Sequence, residues 1–264
     1  VVETRASLDA LLDMLSNDAY GATGASECPF CFEYESEIVV VTVSGDRPSL
    51  LLVHGAWHGS WCWDSLRSEL TADAWATRTV DLPSAGQECG VEDDARVVRE
   101  ELRRIPGPVV VVAHSYGGIP ATQAVAEADN VAHIVYLAAF QLDVGESLLG
   151  FHGAPVPANP QGLQAVPDQP RPLFYSDVPE AQAEAAVKRL VPQSVKSFSD
   201  TLTKAGWHSV PSSYIVCEQD QALTPKNQEV LAARSGAVHR LESAHSPFLS
   251  QPAELAHLLA EIAL

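Results

Sequence analysis

Val109-Val110-Val111-Val112-Ala113-His114-Ser115-Tyr116-Gly117-Gly118 is the stretch from which the rest of the chain can be read. Its four valines and alanine run on without any polar alternation, and Pro106-Gly107-Pro108 precedes them. Such a run fits a strand buried on both faces, as in a parallel sheet. Ser115 then sits with a small residue two positions away on each side, Ala113 and Gly117. Small neighbours let a chain turn sharply from strand into helix, which pushes the serine hydroxyl outward at the helix N-terminus. Tyr116–Ala128 reads as that helix, with Pro120 in its first turns.

Working outward, the same alternation recurs. Ile38–Val43 and Ser49–Val53 are apolar runs, and the second ends at His54-Gly55. A helix is expected over Trp61–Leu70, a strand over Thr77–Asp81 and a helix over Val91–Ile105. Val131–Ala138 reads as the next strand. After residue 209 come strand Tyr214–Cys217, helix Pro225–Ser235, strand Ala237–Leu241 and helix Gln251–Ile262. Strands alternating with helices give an α/β fold, a mostly parallel sheet with helices on both faces. Residues 142–208 break the rhythm with many prolines, one helix over Pro179–Leu190 and a second near Gln193–Lys204. They are expected to form an inserted lid. The core is then 38–141 and 209–264, and residues 1–37 form an N-terminal extension. In that extension Leu8, Leu11, Leu12 and Leu15 have helical spacing.

Ligands in open parallel sheets bind at the C-terminal ends of the strands. Three candidate groups fall there. Ser115 follows one strand, and a serine hydroxyl needs a base within hydrogen-bond reach to act as a nucleophile. His245, in Glu242-Ser243-Ala244-His245-Ser246-Pro247, follows the last strand. Asp220, in Glu218-Gln219-Asp220, follows Tyr214–Cys217 and would orient and stabilise the imidazole. Asp143, past the preceding strand, and Glu218 are the rival acids. The backbone N–H groups of Ala56 and Tyr116 are expected to receive a developing oxyanion. Gly55, Trp57 and His58 would meet the substrate, although His58 also suits a structural bond holding its loop. His114 is expected to pack or bond locally.

The acid excess is large, 34 Asp and Glu against 16 Lys and Arg for a net charge of −18. A field of that sign repels phosphate backbones and anionic membranes, so no nucleic-acid or membrane partner is expected, only a small-molecule substrate. No apolar run is long enough to span a bilayer. Val1–Tyr20 lacks the basic flank and apolar stretch of a signal peptide, which points to the cytoplasm. Cys28 and Cys31 have the spacing of half a zinc site but lack a second pair, and Cys62, Cys89 and Cys217 are scattered. Neither a metal nor an organic cofactor is expected.

Three stretches carry a resemblance. Leu51-Leu52-Val53-His54-Gly55-Ala56-Trp57-His58-Gly59-Ser60-Trp61-Cys62-Trp63, Ala113–Gly118 and Tyr214-Ile215-Val216-Cys217-Glu218-Gln219-Asp220 resemble one branch of the α/β-hydrolase superfamily. That branch holds plant methylesterases, salicylate-binding esterases, hydroxynitrile lyases and bacterial esterases. The likeness runs from about Leu50 to the C-terminus, and Leu173-Phe174-Tyr175-Ser176-Asp177 is similar to bacterial members. Hydroxynitrile lyases of the branch carry a threonine where this chain has Gly55, and a lysine where it has Ser246. The resemblance therefore implies an esterase-like site, acting on a small carboxylic ester, thioester or lactone. Phe151, Phe174, Tyr175 and Trp207 suggest an apolar or aromatic substrate. A cyclase or lyase on the same scaffold, or a receptor that keeps the pocket, are the rival readings.

Overall fold

The computed structural model describes residues 47–264. The amphipathic N-terminal segment, the Cys28/Cys31 pair and the Ile38–Val43 run lie outside the described residues.

The described chain builds one six-stranded sheet. Its strands are β1 (Ser49–Val53), β2 (Thr77–Val80), β3 (Val109–His114), β4 (Val131–Leu137), β7 (Ser212–Cys217) and β8 (Ala237–Leu241). They lie in the order β2-β1-β3-β4-β7-β8, and every pairing is parallel. The chain first moves outward from β1 to β2 and then returns to the other side of β1 for β3. The order in which strands are added therefore reverses between β1 and β3, where a crevice opens beyond the strand ends. The loop after β1 starts at His54, and Ser115 directly follows β3.

The valine run is continuous because the two faces of its strand are buried against different layers. Val109, Val111 and Ala113 join Leu51 and Val53 in one core. Val110 and Val112 join Leu50 and Leu52 in the other. This is the two-residue period of a strand with no solvent face. Val91, Ala95, Val98 and Leu102 of helix Val91–Arg104 cover the first layer. Leu66 and Leu70 of helix Asp64–Ala72, with Leu255 and Leu259 of helix Pro252–Ala263, cover the second. Each such side chain contributes about 1.5–3 kcal/mol when taken from water.

Between β4 and β7 lie four short helices and the two-stranded antiparallel ladder β5 (Leu163–Gln164) and β6 (Gln193–Ser194). One helix, Glu180–Val187, falls inside the span expected for it. The second expected helix, Gln193–Lys204, is not formed as such. Gln193 and Ser194 are extended in β6, and only Val195–Ser199 is helical. Gln193 is buried and hydrogen-bonds Ser84 and the Trp57 amide, and these distant partners hold the segment extended. No helix of the described residues is long and apolar enough to cross a membrane.

Candidate active site

Ser115 sits at φ +52°, a conformation that costs a non-glycine residue roughly 1–3 kcal/mol and persists only where its surroundings enforce it. Those surroundings explain the small residues nearby. A Cβ on Gly117 would lie 2.4 Å from the carbonyl oxygen of His54, and one on Gly118 would lie 2.7 Å from that of Phe140. Both obstacles are backbone and cannot swing away. Ala113 is fully buried. The turn is thus wedged between the loops that follow β1 and β4.

Asp220 and His245 meet across the ends of β7 and β8. His245 Nδ1 donates to Asp220 Oδ2 at 2.7 Å, and both side chains are buried. That bond assigns the proton to Nδ1 and leaves Nε2 as the free nitrogen. Asp220 Oδ1 accepts from the amides of Ala222 and Leu223 at 2.7 and 3.0 Å. Gln228 Nε2 donates to Oδ2 at 3.1 Å. Gln228 is itself locked, its Oε1 accepting from the Cys217 amide and its Nε2 donating to the Leu223 carbonyl. The rival acids point elsewhere. Asp143 accepts from His208, and Glu218 lies 3.8 Å from Arg240.

Ser115 and His245 line the same cavity. Among the described residues the serine hydroxyl makes no hydrogen bond to the imidazole. Ala56 and Tyr116 line this cavity too. No turn, loop or side-chain bond engages the backbone N–H of either residue among the described residues.

Three more histidines near the site, His54, His58 and His114, are buried and hydrogen-bonded. His54 Nε2 accepts from the Leu82 amide, so Nδ1 carries the proton and donates to the Gly55 carbonyl. His58 Nδ1 donates to the Ala56 carbonyl at 2.8 Å, and Nε2 accepts from the Tyr175 hydroxyl at 2.7 Å. Burial pushes its pKa down to about 3. His114 Nε2 donates to the carbonyl of His245 at 2.9 Å, and burial, then the nearby His245, hold its pKa well below the usual imidazole range.

The cavity has a volume of about 190 Å³. Trp57, Phe140, Leu148, Phe174, Phe198 and Leu223 give it apolar walls, and His152 and Gln164 are polar points in them. Of the three residues expected against a substrate, only Trp57 lines it. Gly55 lies behind the wall, where a Cβ would come within 2.9 Å of Ser115 Cβ. His58 is occupied by its bonds to Ala56 and Tyr175. Among the expected aromatics, Phe174 lines the cavity, with its ring 5.8 Å from that of His245. Tyr175 is turned to His58, Phe151 packs on Phe140, and Trp207 donates to the Leu142 carbonyl. Gln228, Asp94 and Asp177 went unnoticed in the sequence. Asp94 carries only the signal of an acid in the first turn of a helix, and the other two carry no local signal. Among the described residues no group of three or more His, Cys, Asp or Glu side chains is arranged to hold a metal ion.

Residues 50–258 match the alpha/beta hydrolase family. A probable hydrolase, R7, of Phoma sp. is 30% identical over 82% of this chain and 98% of its own length. Norfluorocurarine synthase 2 of Strychnos nux-vomica is 29% identical over 81% of this chain and 94% of its own. The crystal structure of a methylesterase from Arabidopsis superposes with a TM-score of 0.70 at 28% identity, covering 81% of this chain and 98% of that one.

Proposed function

The chain belongs to the alpha/beta hydrolase family, and from that premise we propose that Ser115, His245 and Asp220 are a catalytic triad hydrolysing a small carboxylic ester, thioester or lactone. Ser115 Oγ attacks the carbonyl carbon while His245 Nε2 takes the hydroxyl proton. Asp220 holds the imidazole in the required tautomer and stabilises its charged form. The tetrahedral oxyanion rests on the N–H groups of Ala56 and Tyr116. The alcohol or thiol leaves with the proton from His245, and the acyl group stays on Ser115. Water then attacks the acyl-enzyme, again giving its proton to His245, and the carboxylic acid is released with the serine restored. Ester, water and these side chains supply every atom, so no cofactor enters.

One observation carries this reading. His245, joined to buried Asp220 by a bond of 2.7 Å, shares a cavity wall with a serine at φ +52°. The apolar walls favour an apolar or aromatic substrate, with Trp57 in contact. Gly55 and His58 support the loop from behind, and residues 142–208 act as the lid. A second reading is a non-hydrolytic reaction at the same residues, and one relative is named a synthase.

A fluorophosphonate probe and short p-nitrophenyl esters test the proposal. Wild type should take the label and turn over the esters, and Ser115→Ala should do neither. Asp220→Asn should lose about 10⁴-fold in kcat. A wild type with no label and no turnover refutes hydrolysis. Full activity in Asp220→Asn assigns the acid elsewhere.

A further inference from the structure

We infer that Asp94 is a positioning residue for the oxyanion donors, holding Tyr116 directly and the Trp57 side of the other donor through Ser84 and Gln193. The inference rests on the hydrolase reading above. Asp94 lies on helix Val91–Arg104, is fully buried and does not line the cavity. Its carboxylate accepts three bonds. The Ser84 amide donates to Oδ1 at 2.9 Å, and both the Ser84 hydroxyl and the Tyr116 hydroxyl donate to Oδ2, the latter at 2.6 Å. Tyr116 is the residue whose backbone N–H is proposed as one oxyanion donor.

The order of donors continues away from Asp94. Having donated its only proton, Ser84 Oγ accepts from Gln193 Nε2 at 2.7 Å. The same nitrogen donates to Ser197 Oγ at 2.9 Å. Gln193 Oε1 is then left to accept the Trp57 amide at 3.1 Å, one residue past Ala56, the other proposed donor. Phe198 packs against both rings, at 5.4 Å from Trp57 and 5.8 Å from Tyr116. One buried network thus fixes the backbone on both sides of the anion's place, and it crosses from the core into the insertion at Gln193.

Only a carboxylate acceptor sets this order. An ionised carboxyl has acceptors alone, whereas an asparagine amide must present donors to part of the same set. Burial, with Asp93 nearby, pushes the Asp94 carboxyl up to about 6 against the opposing bonds from Ser84 and Tyr116. It is therefore ionised at neutral pH. Asparagine would set its NH2 group either against the Ser84 amide, donor facing donor, or against both hydroxyls at the Oδ2 position, and a Ser84 hydroxyl turned away there sets its proton against Gln193 Nε2. The disturbance starts behind the cavity and reaches its wall at Tyr116 and Trp57.

The test compares wild type, Asp94→Asn, Tyr116→Phe and the double variant. Three quantities are measured at neutral pH: kcat and KM for a p-nitrophenyl ester, and Kd for phenylboronic acid, whose serine adduct is tetrahedral. Tyr116→Phe removes only the hydroxyl and keeps the ring, so it serves where Asp94→Asn folds poorly. In both single variants kcat should fall about tenfold or more, short of the 10²–10³ lost with a whole oxyanion donor. KM should stay within about twofold, and boronate affinity should fall with kcat/KM. The double variant should cost no more than the worse single variant, since both act through one network. An unchanged kcat in folded Tyr116→Phe, or losses that multiply in the double variant, overturns the inference while the hydrolase reading stands. A wild type that neither hydrolyses the ester nor takes the fluorophosphonate overturns both.

Discussion

Replacing Asp94 by asparagine separates what a buried charge costs from what it holds in place. The carboxyl is fully buried, and desolvation raises its pKa from 3.8 to about 6 despite bonds from Ser84 and Tyr116. Each pKa unit is about 1.4 kcal/mol, so the shift amounts to about 3 kcal/mol between the protonation states. Its sign follows from the raised value. Between the two pKa values the folded chain keeps the proton that the unfolded chain has lost, so stability falls as pH rises through this window. The contribution is complete below about pH 4 and gone above about pH 6. Asparagine does not titrate. The stability of wild type minus that of Asp94→Asn should therefore drop by about 2 kcal/mol from pH 4 to pH 7. The lost hydrogen bond adds only an offset that does not vary with pH. Urea midpoints for both proteins across this range measure the difference, and other carboxylates cancel in it. A flat difference, or one that rises with pH, refutes the reasoning, because a rise would mean that the hydrogen bonds outweigh burial. A charge kept at this cost is the kind of compromise that functional sites retain.

Gly117→Ala places a Cβ 2.4 Å from a backbone oxygen. It should cost about 1–3 kcal/mol and slow fluorophosphonate labelling, and a normal thermal midpoint with normal labelling would contradict the wedge. Gln228→Leu leaves the Cys217 amide without its partner. At about 1–3 kcal/mol for a buried orphaned group, the midpoint should fall by several degrees, and kcat should fall with it because Asp220 loses a donor. Asp177→Ala removes the acceptor that holds the Ala244 amide and Ser250 hydroxyl, each at 2.8 Å. It should lower kcat more than it raises KM, and equal changes in both would count against a role in holding the His245 loop.

The sheet was legible because its signal is local. SLLLV and the valine run are apolar on both faces, and the strands begin and end within one residue of where that pattern puts them. The ends of β3, β7 and β8 were also readable, and with them the neighbourhood in which Ser115, Asp220 and His245 meet. Gln193 shows where this kind of reading stops. Its residues favour a helix, but Ser84, 109 positions earlier, and Trp57, 136 positions earlier, hold the side chain in an extended segment. No window of sequence contains those partners. The same holds for His58, whose partner Tyr175 is 117 positions away. The sequence set it facing a substrate or bracing its loop, and the bonds it makes are those of the brace.

The histidines around the cavity divide by what they hydrogen-bond. His54, His58, His114 and His245 are all buried. Of these four, only His245 hydrogen-bonds a carboxylate. The other three bond to backbone groups or a tyrosine hydroxyl, and burial lowers the pKa of each. Kept neutral, they brace the loops bearing Ala56 and His245 without adding positive charge. The His114 ring lies 4.5 Å from that of His245, so its neutrality keeps a positive charge away from the His245–Asp220 pair. Neutral braces let the fold use histidine for rigidity beside the carboxylate-paired imidazole that we propose as the base. Asp220 draws that distinction by geometry, since it is the one carboxylate among the described residues hydrogen-bonded to any of these four rings.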